Sequence, residues 1–358
     1  MAASLLFSLM VPFADARLRC SGRTVISRRR FLTGVDIGLA PIGAAAHAQE
    51  YKAQQAGKLP RIGVLWHAGN AEEEGPYFSA LLEGFKGLGY VEGRNIAFEH
   101  RFPNEMPERF KRMAAELVLL RVDVLVCVGS VAPTYAKNAT TTIPVVFMLV
   151  TDPLGLHLVD SLSRPGGNVT GLSNFSIDLI GKRLQILKEA IPQLSRVAQL
   201  ANPNAQTSRL YIDVTRTAAT ELSLVVQTFQ ARSVDELESA FDAMVRAKMQ
   251  AVTVNPDGLA FQGRATIARL ALARHLPLAT YSRDTFEVGA LLSYGADHRA
   301  ICRRGAVYVD KILRGAKPSD LPVEGPTRFE FIINLKTAKA LGLTIPPSLL
   351  GRADEIIQ

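Results

Sequence analysis

What most constrains this 358-residue chain is an alternation, run through twice, of short β-rich apolar runs and segments whose apolar residues recur at helical spacing. The first run is Arg61 to Trp66. Phe78, Leu81, Leu82, Phe85 and Leu88 follow at helical spacing, closed by Gly89 as a C-cap. Ile96 to Arg101 reads as a strand; Phe110, Met113, Ala114, Leu117 and Val118 mark a helix. Asp123 to Val128, Ile143 to Phe147 and Asn168 to Leu172 complete a first set of strands. The pattern then restarts. Helical spacing over Ile180–Ile191, Leu210–Leu222, Leu237–Val245 and Ile267–Ala271 alternates with strands at Arg196–Ala201, Leu224–Phe229, Ala251–Val254 and Leu278–Thr280.

Strands separated by helical segments of this length require βαβ crossovers and a parallel sheet. Two sets imply an α/β chain of two similar, doubly wound, parallel-sheet lobes. An internal echo supports the duplication: Asp123-Val-Leu-Val-Cys-Val-Gly129 with Thr142-Ile-Pro-Val-Val146 is answered by Gln250-Ala-Val-Thr-Val-Asn-Pro256 with His275-Leu-Pro-Leu-Ala279. Beyond the second set remain a helix, Arg299 to Leu313, a Pro-rich connection (Pro318, Pro322, Pro326), a strand, Phe329 to Ile333, and a short helix, Leu335 to Leu341. The economical arrangement is a first lobe over residues 61–174, a second over 175–289, a return to the first over 290–322 and a return to the second over 323–358. Several crossings between lobes make a hinge.

The N-terminus reads as an address. Ser27-Arg28-Arg29-Arg30-Phe31-Leu32 precedes an apolar run, Ile37 to Ala46, and a small-x-small site, Ala46-His47-Ala48. That is the order of a signal peptide, and the paired arginines suit the twin-arginine pathway. Residues 1–48 are therefore expected to be removed after Ala48, with 49–60 as linker and the mature chain in the periplasm. The segment carries half of the formal charge of +8, so the basic balance reports targeting rather than a nucleic-acid surface. Of the cysteines, Cys20 falls in the address, which leaves Cys127 and Cys302. Cys127 sits in an apolar run and reads as a core thiol; a Cys127–Cys302 disulfide is the alternative.

In open α/β sheets ligands bind beyond the carboxyl ends of the strands. The rule selects Trp66, His67, Gly129, Ser130, Thr151 and Asp152 in the first lobe, and Asn202, Asn204, Asn255, Asp257 and Tyr281 in the second, with Tyr294 beside an expected crossing. Gly129-Ser130 is the sharpest candidate, since a strand-to-helix turn offers free N–H groups to an anion; a plain N-cap is the competing reading. Asp257 is placed to pair with an ammonium group, or to serve as a cap. Asp152-Pro153 and Asn202-Pro203 are also turn chemistry.

No nucleotide-binding glycine motif, nucleophile elbow or Cys/His metal spacing occurs, so no cofactor, metal or catalytic residue is assigned. A small-molecule receptor is the leading reading, a ligand-sensing receptor domain the second, a doubly wound enzyme the third.

Several strings along the chain resemble one family. They are Leu88-Gly-Tyr-Val-Glu-Gly-Arg-Asn-Ile96, Ala139-Thr-Thr-Thr-Ile-Pro-Val-Val-Phe147, Asp152-Pro-Leu-Gly155, Ser163-Arg-Pro-Gly-Gly-Asn-Val-Thr-Gly-Leu-Ser173, Gly181-Lys-Arg-Leu184, Tyr308-Val-Asp-Lys-Ile-Leu313 and Ile333-Asn-Leu-Lys-Thr-Ala-Lys-Ala-Leu-Gly-Leu343. The set resembles the ABC-transporter substrate-binding family of the tryptophan/tyrosine-binding type. The resemblance implies the type I periplasmic-binding-protein fold with three crossings, an amino acid or related amphiphile as ligand, and an ABC permease with its ATPase as partners. The chain departs from the family pattern at Trp66-His67 and at Gly129-Ser130-Val131-Ala132-Pro133, both at the expected ligand site.

Overall fold

The computed structural model describes residues 59–358. The export signal, the cleavage point after Ala48 and the start of the expected linker lie outside the described residues. In chain order the first half comprises β1 (Arg61–Leu65), α1 (Ala71–Glu74), α2 (Pro76–Gly87), β2 (Ala97–Arg101), α3 (Pro107–Leu119), β3 (Val124–Val128), α4 (Ala132–Ala139), β4 (Val145–Val150) and β5 (Val169–Ser173). The second comprises α5 (Ile180–Ala190), β6 (Arg196–Ala201), α6 (Ser208–Glu221), β7 (Val225–Gln230), α7 (Leu237–Arg246), β8 (Ala251–Val254), α8 (Gly258–Gln262), α9 (Arg264–Ala273), β9 (Leu278–Thr280), α10 (Arg283–Phe286) and β10 (Leu292–Ala296). The tail adds α11 (His298–Leu313), β11 (Phe329–Asn334), α12 (Leu335–Ala340), α13 (Pro347–Leu350) and β12 (Glu355–Ile357).

These strands form two sheets. The first runs β2-β1-β3-β4-β5 and is parallel throughout. The second runs β12-β11-β10-β9-β8-β6-β7; β7-β6-β8-β9-β10 repeats the order of the first, and β11 joins antiparallel to β10. The sequence echo therefore marks the third and fourth strands of each lobe. Each strand splits its side chains between two cores. In the first lobe Ile62, Val64, Val124 and Val126 pack with α2 and α11, while Leu65, Leu125 and Cys127 pack with α3 and α4. Burial on both faces explains why these strands read as unbroken apolar runs.

Three segments cross between lobes: residues 174–179, the Ala296–His298 step, and residues 325–328. Residues 290–296 were expected to begin the return to the first lobe. They carry β10, paired parallel to β9, so the chain leaves the second sheet only at Ala296. Glu324, in turn, still bridges Leu172 of β5. Helix α11 docks through Ile301, Cys302, Ala306 and Val309 on the first lobe, and β11 completes the second. Cys127 and Cys302 are both buried and free, in place of the alternative disulfide. No helix among the described residues is long and apolar enough to cross a membrane.

Candidate functional site

In a 2-1-3-4-5 sheet the build direction reverses between the first and third strands, and the loops there part to leave a crevice. The loops after β1 and β3 in one lobe, and after β6 and β8 in the other, line a common cavity of about 530 Å³. That is the size of a small-molecule site.

The first-lobe wall is pinned from behind. Asn70 caps α1. At the end of that helix Glu74 is fully buried, and its Oε1 accepts the N–H groups of His67 at 2.8 Å and Ala68 at 2.7 Å. His67 is thereby held with Nε2 3.5 Å from Glu74 Oε2 and Nδ1 3.7 Å from Glu105 Oε1. The Glu105 backbone is left-handed (φ 53°), and its N–H donates to the His67 carbonyl at 2.9 Å. Further along the wall a bulge in β4 puts Leu149 at φ 61° and onto the cavity; bulges of this kind re-aim strand ends beside sites. The Thr151 N–H donates to Ser130 Oγ at 3.2 Å, so the Ser130 proton is free for the cavity. Ser130 lines the site without capping α4, whose N-cap, Val131, makes no side-chain bond.

On the second lobe Asp257 is both cap and wall. Its Oδ1 accepts the Ala260 N–H at 2.8 Å at the start of α8. Burial lifts its carboxyl to about 6, although the N–H groups of Ala260, Asn202 and Leu259 oppose the rise. Burial also lifts Glu105, to about 7; His67 opposes this, and Asp257 and Glu74 add to it. Burial lowers His298 to about 4, which leaves a neutral ring whose Nδ1 is 3.0 Å from the Tyr77 hydroxyl.

The lobes touch around the cavity. Phe261 of α8 packs against His67 and Tyr77, with ring centroids 4.9 and 5.1 Å away. Gln262 Nε2 donates to Asn104 Oδ1 at 3.0 Å, and the hydroxyls of Thr151 and Tyr211 are 3.2 Å apart. The Glu105 carboxyl lies against the Cα of Gly258, where a Cβ would fall 2.0 Å from Oε1. Only glycine permits that approach.

Of the residues selected by the strand-end rule, His67, Gly129, Ser130, Thr151, Asn202, Asn204, Asp257 and Tyr281 line the cavity. Trp66, Asp152, Asn255 and Tyr294 do not; Asn255 is buried and its Oδ1 accepts from Gln199 Nε2 at 2.8 Å. Trp66 is fully buried against Phe78 and Phe102, and its indole N–H donates to His100 Nδ1 at 3.1 Å. Strand alternation turns it into the core one residue before His67. Asp152 is spent on its turn, accepting the Gly155 N–H at 2.8 Å. Tyr294 sits mid-strand in β10, opposite Phe331, rather than beside a crossing. The rule missed Tyr77 and Phe261 because they reach the cavity from helices. It missed Glu105 because that residue follows β2 at a left-handed turn. No group of three or more His, Cys, Asp or Glu among the described residues is placed to hold a metal.

The wall thus offers hydroxyl donors at Ser130 and Thr151, carboxyl groups at Asp257 and Glu105, and the rings of Tyr77, Phe261 and Tyr281. Such a site suits a small molecule with an anionic group, a cationic group and an apolar body.

Comparison with known proteins agrees with this architecture. The family model described as ABC transporter substrate binding protein matches residues 76–357. A tyrosine-binding protein of Clostridioides difficile (strain R20291) is 27% identical over 265 residues, 74% of this chain and 75% of that protein. A conserved domain protein from Vibrio cholerae O1 biovar eltor superposes with a TM-score of 0.79 at 28% identity, covering 84% of this chain and 100% of the other. An ABC domain from Streptococcus pneumonia, solved in complex with L-Trp, superposes with a TM-score of 0.74 at 28% identity, covering 83% and 100%. On the match over residues 76–357 and the two-lobed fold that carries it, the chain belongs to the ABC transporter substrate-binding protein family.

Proposed function

We propose that this protein is an extracytoplasmic receptor that closes its lobes over one aromatic amino acid, or a related zwitterionic amphiphile, and presents it to an ABC permease and its ATPase. The observation that carries this reading is the mixed polarity of the cavity lining: hydroxyl donors at Ser130 and Thr151 for a carboxylate, and the acids Asp257 and Glu105 for an ammonium group. Tyr77, Phe261 and Tyr281 supply apolar surface for a ring. The tyrosine-binding relative and the L-Trp complex support the choice of amino acid. The sequence of residues 27–48 supports export. The family supports a binding role rather than catalysis.

The test is a thermal-shift survey of amino acids with protein recovered from the extracytoplasmic fraction. Tyrosine or tryptophan is expected to raise the melting temperature. A solute at a hundredfold its Kd stabilises by about 2.7 kcal/mol. The intact mass is expected to begin at Gln49. No shift with any amino acid would reject the ligand class, and a retained residue 1–48 segment would reject export.

A further inference from the structure

Lys182-Arg183 reads in the sequence as a charged pair on a solvated helix face. The structure separates the two. Lys182 is partly exposed and its Nζ bonds Gln185, whereas Arg183 is only 4% exposed. Its guanidinium donates to the hydroxyl of Ser176 at 3.2 Å and to the Ser176 carbonyl at 2.8 Å. Among the described residues it has no carboxylate partner. The titratable groups closest in influence are the phenols of Tyr211 and Tyr281, which burial keeps protonated and neutral. Burial lowers it to about 10, so it keeps its proton at neutral pH. An unpaired buried cation is costly and is retained where something supplies the opposite charge.

A chain of hydroxyls leads from this cation to the cavity. Ser176, 3% exposed, is a neighbour of the Tyr211 phenol and acts to lower its proton affinity. Tyr211, 1% exposed, meets the Thr151 hydroxyl across the lobes at 3.2 Å. Thr151 lines the cavity and holds Ser130 through its own N–H. A guanidinium only donates. Ser176 Oγ accepts from it and keeps its own proton to turn toward the neighbouring Tyr211 phenol; the same polarity carried outward would have Tyr211 donate to Thr151 and Thr151 to the cavity.

We propose that Arg183 is the hidden anion determinant of the site: a positioning residue that fixes the direction of the Ser176–Tyr211–Thr151 hydroxyl chain, so that Thr151 and Ser130 both present donors to a ligand carboxylate. The proposal deepens the amino-acid reading and rests on it for the probe. A ligand carboxylate would give the buried guanidinium its missing counter-charge, relayed through polarised hydroxyls. Because Tyr211 belongs to the second lobe and Thr151 to the first, the chain is continuous only when the lobes meet.

Calorimetric titration of the full protein with L-tyrosine, L-tryptophan, their carboxamides, tyramine and tryptamine tests this. The wild type is expected to prefer the acids. Arg183→Met is expected to weaken the acids by about tenfold to a hundredfold, the worth of a charge-assisted bond, and to leave the amides and amines unchanged. Arg183→Lys is expected to recover part of the loss. Tyr211→Phe keeps the ring, breaks the chain, and should reproduce the split even if Arg183→Met does not fold. Equal acid affinity in wild type and variants overturns the proposal and leaves the amino-acid reading standing; a wild type that binds amines as tightly as acids overturns both. Binding of none of the panel overturns the amino-acid reading instead. Arg183 is then judged by melting in rising acetate at constant ionic strength: stabilisation of the wild type but not of Arg183→Met or Tyr211→Phe supports it, and equal responses, nil included, overturn it.

Discussion

Glu105 and Asp257 are carboxyl groups brought to one cleft from opposite lobes, and their proton affinity ties stability to pH. Burial raises Glu105 from its ordinary 4.5 to about 7 and Asp257 from 3.8 to about 6. Each group therefore binds its proton more tightly in the folded, closed protein than in the unfolded chain. Stability is least penalised below the unfolded values and is lost as pH rises through the folded ones. The groups facing Glu105 are His67, Glu74 and Asp257, so Glu105→Gln removes one negative charge from a cluster with three acids. The ligand-free Glu105→Gln variant is expected to melt above the wild type at pH 8, with the gap closing towards pH 4.5. Melting curves across that range check it, and a gap independent of pH would contradict it. A bound ammonium group should reduce the gap, because it supplies the counter-charge that the proton otherwise provides. Nothing in the one-dimensional sequence distinguishes Glu105 from the other acids around it. Its role arises from a left-handed turn and from a glycine on the opposite lobe.

At the scale of elements, the returning helix α11 is what makes the first lobe whole. It packs across α2 at a point where both surfaces are small. A Cβ on Gly84 would fall 2.5 Å from the Arg303 carbonyl oxygen and 3.0 Å from Ala306 Cβ. The obstruction is helix backbone, which cannot rotate away. Gly84→Val is therefore expected to destabilise by about 1–3 kcal/mol, the usual cost of overpacking. Gly87→Ala, three residues on in the same helix and facing open space, should be neutral or stabilising. Denaturant midpoints for the two variants compare them directly; equal effects would contradict the crossing. Most elements here were legible in sequence, because strands buried on both faces leave apolar runs and amphipathic helices leave spacing. The short helices were not: α1 and α8 have four and five residues, too few for a periodic signature, and they are held by their caps, Asn70 and Asp257. They also deliver Glu74 and Phe261 to the site. That is why the strand-end rule found the floor of the cavity and missed part of its wall. Arg183 was misread for a related reason, since spacing alone cannot say that α5 lies beneath both Ser176 and Tyr211.

At the scale of the molecule, two lobes with the same strand order face each other, and the chain crosses between them at three places. The duplication and the need for a return were readable from the echo and from the leftover tail. The point of return was not, because β10 is a strand that could have ended either lobe and is claimed by its pairing with β9. With lobes that meet at Phe261, Gln262, Gly258 and Tyr211, a ligand in the cavity would touch both at once. The central claim is that a zwitterion occupies this cleft with its ammonium group on Asp257. Asparagine at that position would keep the cap on α8, as Asn is as good a capping residue as Asp, and would remove the charge alone. Titration calorimetry of the wild type and the Asp257→Asn variant with L-tyrosine and L-tryptophan is the direct measurement. Saturable binding of one solute per wild-type chain, weakened about tenfold or more in a variant of unchanged fold, is the predicted result. Absence of binding in the wild type, or equal affinity in the two proteins, would contradict it.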